Sequence, residues 1–139
     1  MSEAGQTDRD SGNSLSIELR VRYAECDAMG VLYHGRYWEF FEMARTELLR
    51  ANGVRYRDLE AEGVFFVVYK CACTYKAPIR YDDVIKVSVR VSRLSRTRVD
   101  HEYEIRREGR LCCTASTTLA CVGRDGRPII MPDAIWPGD

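Results

Sequence analysis

The sequence predicts an α+β domain in which an antiparallel sheet of five strands packs one face against a single long helix. Three observations lead there. Apolar and polar residues alternate with period two in one stretch before residue 24 and in several after residue 63. Between them one run carries its apolar residues at helical spacing. The later strands are joined by short turn sequences, which makes their neighbours antiparallel.

Met1 to Asn13 is polar and small in composition and reads as a disordered tail, with order beginning near Ser14. Leu15, Ile17, Leu19, Val21 and Tyr23 then alternate with Ser16, Glu18, Arg20 and Arg22, the pattern of a strand with one buried face. Ala24 to Gly30 breaks the alternation and is a loop. In the helix, Tyr37, Phe40, Phe41, Ala44, Leu48 and Leu49 share a face, while Glu42 with Arg45 and Glu47 with Arg50 are spaced to pair in solvent. Asn52-Gly53 stops it. Val54 to Glu62 is a short helical turn closed by Gly63. Strands follow at Val64 to Tyr75, Val84 to Ser92, Val99 to Arg106 and Leu111 to Val122, with Glu108-Gly109 as a hairpin turn. An open sheet of this kind has edges that must be covered or paired, so edge-to-edge dimerisation is expected.

The 139 residues carry 21 Lys plus Arg against 21 Asp plus Glu, a formal net charge of zero, which argues against bulk nucleic acid or an acidic membrane surface as partner. The length suits one domain able to bury a core without disulfides or a metal. No apolar run approaches the roughly 20 residues of a membrane span, and the polar N-terminus is unlike a secretory signal. Six cysteines in that context are expected as reduced thiols in the cytoplasm. Cys71 and Cys73 are two apart, Cys112 and Cys113 are adjacent, and Cys26 and Cys121 stand alone, so neither pair has zinc-ligand spacing. They read as small buried hydrophobes in strands, and no metal or other cofactor is expected.

The segment that carries chemistry runs from Tyr23 to Tyr37. It sets a loop carboxylate, Asp27, before a tight-turn glycine, Gly30, and then a helix start. The first N–H groups of a helix lack internal acceptors and sit at its positive end, so they can bind an anion or an oxyanion formed during acyl transfer. An adjacent Asp can act as a general base on water or as a nucleophile. The structural alternative is that Asp27 serves only the turn or a helix cap.

Asp27-Ala-Met-Gly-Val-Leu-Tyr-His34, with Tyr37 and Phe41-Glu-Met-Ala-Arg-Thr-Glu47, resembles the 4-hydroxybenzoyl-CoA thioesterase family, and most nearly its Tol-Pal-associated acyl-CoA thioesterase branch. The close match covers Val21 to Arg50; a looser one continues through Tyr75 to Asp83 and on to Gly126-Arg-Pro128. The resemblance implies a hotdog fold over residues 14–132, in which a curved sheet wraps a central helix, with tails at 1–13 and 133–139. It also implies a homodimer or homotetramer with active sites between subunits. It places the catalytic carboxylate on Asp27 and the oxyanion site on the backbone N–H of His34. The His34 side chain either contacts substrate or lines the helix entry. Tyr23 either orients the carboxylate or lines the acyl pocket, unless it is a core strand residue, and Tyr33 is a further candidate substrate contact. Cys26 and Met29 depart from residues frequent at these positions in the family, and both lie where they can reshape the acyl pocket.

Lys86, Arg90, Arg93, Arg96 and Arg98 fall in a stretch from Val84 to Val99 without an acid. Arg forks match phosphate oxygens, and the resemblance places a nucleotide contact near this hairpin, which makes Arg96 and Arg98 candidates for coenzyme A. A solvated strand face is the ordinary alternative. Another hotdog branch carries its catalytic Glu on the helix, where Glu39, Glu42 and Glu47 are available, but pairing with Arg45 and Arg50 accounts for two of them. Asp82-Asp83 reads as turn chemistry. The function expected is hydrolysis of an acyl-CoA thioester to a carboxylic acid and free CoA. The alternatives are an acyl-carrier-protein thioesterase and a non-catalytic acyl-CoA-binding protein.

Overall fold

The computed structural model describes residues 4–11, as backbone alone, and 13–135. Its elements are β1 (Ala4–Ser11), β2 (Ser14–Arg20), a 3-10 turn (Tyr23–Glu25), α1 (Arg36–Ala51), α2 (Tyr56–Ala61), β3 (Phe65–Tyr75), β4 (Val84–Leu94), β5 (Arg98–Arg107) and β6 (Arg110–Val122). The strands form one antiparallel sheet in the order β1-β2-β4-β5-β6-β3.

The expected five strands and long helix are all present, and a sixth strand joins them. β1 lies along β2 within the stretch expected to be a disordered tail. Composition reports which side chains a segment offers to a core, not what its backbone can pair with. The free edge of β2, however, presents unpaired N–H and C=O groups that any extended backbone can satisfy. At the other end, residues 133–135 fall within the expected C-terminal tail. The Ile135 amide donates to the Pro132 carbonyl at 3.0 Å, and Ile135 packs on the smaller of two apolar clusters. Residues 1–3, 12 and 136–139 lie outside the described residues.

Register explains the core. β2 and β4 pair without a slip, setting Leu15 opposite Val89, Ile17 opposite Val87 and Leu19 opposite Ile85. β5 continues the row, with Ile105 opposite Val87 and Tyr103 opposite Val89. Because the side-chain period is two, one in-register pairing turns every apolar member to the same face. The helix stripe Tyr37, Phe40, Phe41, Ala44 and Leu48 covers that face, and the Phe41 ring lies 4.6 Å from Tyr103.

The most apolar strand is not in this core. β3 is the far edge, with Val67, Val68 and Tyr69 exposed at 45%, 52% and 62% of their surface. Its long apolar run therefore marks a surface, of a kind natural edges normally avoid.

The cysteines divide in the same way. Cys112, Cys113 and Cys121 are fully buried, Cys26 and Cys73 are partly buried, and Cys71 is exposed on β3. Cys112 and Cys113 can both be buried because Ile105 opposes Cys113 while Arg106 opposes Leu111, leaving Cys112 as an extra bulged residue. Its carbonyl accepts from Lys76 and Ala77 at 2.8 and 3.1 Å and so ends β3.

Candidate active site

The strand expected to run through Tyr23 ends at Arg20. Val21 is tied instead to the turn before β4, donating to Asp83 and accepting from Asp82, both at 2.9 Å. The chain then turns through the 3-10 segment, and Tyr23 is thrown outward, 78% exposed, rather than into the core. The turn is closed by Glu25, whose carboxylate accepts the Arg22 N–H at 2.7 Å and ion-pairs with the Arg22 guanidinium at 3.6 Å. Glu25 is almost fully buried, which a carboxylate tolerates only with such partners. Sequence reasoning missed it; the signal was the three-residue spacing from Arg22, the span of one tight turn.

From there residues 25–33 form a small hairpin. Cys26 pairs with Leu32, the Asp27 amide donates to Val31 at 2.9 Å, and the Tyr33 amide donates to Glu25 at 3.0 Å. Gly30, at φ +78°, makes the reversal, a conformation that suits glycine. The hairpin is clipped to the chain beyond β3 by the Leu32 N–H on the Ile79 carbonyl at 2.7 Å and by a bridge between Val31 and Arg80. Asp82, with φ +73°, and Asp83, whose carboxylate accepts from the Arg80 amide and from Arg107, hold that second segment. They are turn residues, as the sequence implied.

Asp27 sits exposed at the hairpin tip. Its Oδ1 accepts the Met29 amide at 2.9 Å and lies 3.5 Å from that of Val31. One carboxylate oxygen therefore fixes the side chain's direction, and Oδ2 is the oxygen the turn does not use. His34 stands at the hairpin's base, where the chain enters α1. Among the described residues the His34 N–H has no backbone acceptor, as expected two residues before the first helical one. The His34 carbonyl accepts the Tyr75 hydroxyl at 3.4 Å, and the Tyr33 ring lies 4.3 Å from the imidazole. Gly35 permits this: a Cβ there would meet the Tyr33 ring at 2.8 Å.

Tyrosines rim the site. Tyr23 meets Tyr81 edge-on at 5.6 Å, and Tyr75 meets Tyr37 edge-on at 4.8 Å. Tyr81 and Tyr75 could not be picked out from the sequence, because they are distant in the chain and belong to strand and turn patterns. Burial first, and then the Cys73 thiol, push the Tyr75 phenol up to about 12, so it is a hydrogen-bond donor near neutral pH. Cys26 is half-buried beneath the loop, with its thiol raised by burial and by Glu25 and Asp27, while Met29 is exposed.

The other candidates fall elsewhere. Glu39 pairs with Arg36 at 3.1 Å and Glu47 with Arg50 at 2.6 Å. The expected pairing of Glu42 with Arg45 does not occur, since the Arg45 guanidinium turns inward to the Tyr103 hydroxyl. The acid-free basic stretch is partly neutralised by β5, which places Glu102 against Arg90 in an ion pair and Asp100 opposite Arg93. Arg96 lies in the β4–β5 turn, and Arg98 stacks over the exposed Tyr69 ring at 4.6 Å. Tyr69 and Tyr75 are six residues apart on β3, so within one chain Arg98 is roughly 20 Å from the His34 end. The structure brings Asp27, Tyr33 and His34 onto one hairpin with Tyr23 at its foot, and leaves Arg96 and Arg98 apart from them. Among the described residues no group of three or more His, Cys, Asp or Glu is placed to hold a metal ion.

A helix wrapped by one antiparallel sheet, with a carboxylate hairpin at the helix entry, is the hotdog arrangement. The family model of the thioesterase-like superfamily matches residues 21–136, and the chain belongs to that superfamily. It is an enzyme of the thioester-hydrolase class. The acyl-CoA thioesterase YbgC of Haemophilus influenzae is 34% identical over 125 residues, covering 88% of this chain and 92% of that protein. The acyl-CoA thioester hydrolase YbgC of Escherichia coli O6:H1 is 37% identical over 105 residues, covering 75% and 78%. Among solved structures, the DHNA-CoA thioesterase of Staphylococcus aureus superposes with a TM-score of 0.82 at 40% identity, covering 88% of this chain and 83% of that one.

Proposed function

We propose that this protein hydrolyses acyl-CoA thioesters in the cytoplasm, with Asp27 as the reacting carboxylate and the His34 N–H as the oxyanion donor. One observation carries the reading: Asp27 is held by Oδ1 in a clipped hairpin that leads directly into α1, with Oδ2 not used by the turn. A thioester carbonyl over the helix entry is polarised by the His34 amide and the positive helix end. In the general-base route Asp27 takes a proton from water, and the resulting hydroxide attacks the carbonyl carbon. The tetrahedral oxyanion then collapses, and the proton passes to the departing CoA thiolate. In the direct route Asp27 attacks, the C–S bond breaks, and water opens the mixed anhydride. Oxygen-18 in the Asp27 carboxyl after one turnover in labelled water marks the direct route.

The tyrosine rim of Tyr23, Tyr33, Tyr75 and Tyr81 offers flat apolar faces to an acyl group. The exposed β3 edge supports a homodimer as the minimal unit. Antiparallel pairing of two β3 strands about Ala72 sets Tyr69 and Arg98 of one copy beside Tyr75 of the other. It thereby brings Arg98, with Arg96 behind it, to the phosphates of a CoA bound at the other copy's hairpin. Free-thiol release from aliphatic and aromatic acyl-CoAs, matched with the same acyl groups on acyl carrier protein, tests the function. Faster turnover of CoA esters supports it, preference for the carrier moves the substrate class, and binding without thiol release defeats it.

A further inference from the structure

A cavity of about 490 Å³ lies along the C-terminal half of α1, between the helix and the start of β5. Its volume falls in the range of small-molecule sites. Leu48, Leu94, Val99 and Leu119 supply apolar wall, and Arg45 and His101 supply the polar groups. Neither Asp27 nor His34 lines it. The fully buried Phe41 and Tyr103, stacked at 4.6 Å, belong to the main core and do not line it either.

Two features of this cavity point to a ligand. His101 is 7% exposed, and its Nδ1 is buried with no hydrogen-bond partner, although the native interior rarely leaves such an atom unpaired. Arg45 is half-buried, and its guanidinium makes one long hydrogen bond, at 3.4 Å, to a Tyr103 hydroxyl already engaged at 2.7 Å with Thr117. The ion pairs of α1 are Arg36–Glu39 and Arg50–Glu47, so among the described residues Arg45 has no carboxylate partner. Glu42 borders the same cavity but faces solvent. A half-buried cation and a nine-tenths-buried imidazole on the wall of an otherwise largely apolar chamber define a head-and-tail site.

We propose that this cavity binds a monocarboxylic acid with a medium-length apolar body. The carboxylate pairs with Arg45 beside the His101 imidazole, and the body lies among Leu48, Leu94, Val99 and Leu119. The site is separate from the hairpin and does not depend on its chemistry.

Calorimetric titration with decanoate tests this on the intact protein. One saturable site per chain is expected, with binding at least tenfold weaker for Arg45→Gln, abolished for the cavity-filling Leu119→Trp, and unchanged for Asp27→Asn. Decanol, which lacks the charge, is expected to bind at least tenfold more weakly than decanoate. The His101 imidazole nitrogen signal should shift on binding. If Arg45→Gln fails to fold, judged by circular dichroism, Arg45→Lys and the decanol comparison decide the question. No saturable decanoate binding overturns the proposal, as does equal affinity for decanol. Loss of binding in Asp27→Asn, or strictly competitive inhibition of acyl-CoA turnover, assigns decanoate to the hairpin site and also overturns it. Binding that emerges only after the chain is cut behind Ile135 gives the cavity to the chain's own end and likewise overturns the proposal.

Discussion

His101 makes the fold acid-sensitive by an amount that can be worked out. Burial first and the Arg45 guanidinium second push its imidazole down from 6.5 to about 4, against a smaller upward pull from Asp100. The unfolded chain keeps the ordinary value near 6.5. As pH falls below that value the unfolded state takes up a proton that the folded state refuses. The stabilisation is therefore complete above about pH 6.5 and is lost progressively toward pH 4. With about 1.4 kcal/mol per pH unit of differential protonation, the loss by about pH 5 is roughly 2 kcal/mol. The perturbation is His101→Phe, which removes the titrating ring and its unpaired Nδ1 and keeps the volume. Urea unfolding at fixed protein concentration, near pH 7.5 and pH 5, compares the two chains. Wild type should lose roughly 2 kcal/mol more than the variant over this interval, and Arg45→Gln should fall between them. Equal losses in wild type and His101→Phe would refute the reasoning.

Three further outcomes follow from particular contacts. Gly35→Ala drives a Cβ to 2.8 Å from the Tyr33 ring, so thiol release should fall about tenfold or more while the melting temperature moves by only a few degrees. Val68→Lys places a charge on the exposed β3 edge and should convert the proposed dimer to monomer in sedimentation equilibrium, with activity lost in parallel. Arg98→Ala should raise KM for acyl-CoA several-fold with little change in kcat, and should flatten the salt dependence of kcat/KM.

The order of elements could be read from the sequence because periodicity reports burial directly. Leu15, Ile17 and Leu19, and the stripe from Tyr37 to Leu48, have side chains that meet the core in the pattern the spacing implies. β1 escaped because its pairing is made by backbone groups, on which the polar side chains of residues 4–11 carry no information. β3 is legible as a strand but not as an edge. Val67, Val68 and Tyr69 are apolar yet exposed, since apolar character does not say which surface does the covering. At the site, Asp27, Tyr33 and His34 could be found because they are close in sequence. Glu25 is defined by burial, Tyr75 and Tyr81 by contacts across the fold, and Arg98 by its distance from the hairpin. His101 is visible in the sequence on the apolar face of β5, but only the packing shows that its Nδ1 is unpaired and that Arg45 turns inward to the Tyr103 hydroxyl.

The central claim is that the Asp27 carboxylate performs the hydrolysis. Asp27→Asn is its sharpest probe, because the amide oxygen can still accept from Met29 and Val31, so the hairpin should survive the loss of the charge. Free-thiol release is measured for both proteins on the best acyl-CoA, with circular dichroism as the folding control. The expected result is a folded variant whose kcat is lower by about a hundredfold or more. A folded Asp27→Asn enzyme turning over at the wild-type rate would contradict the claim.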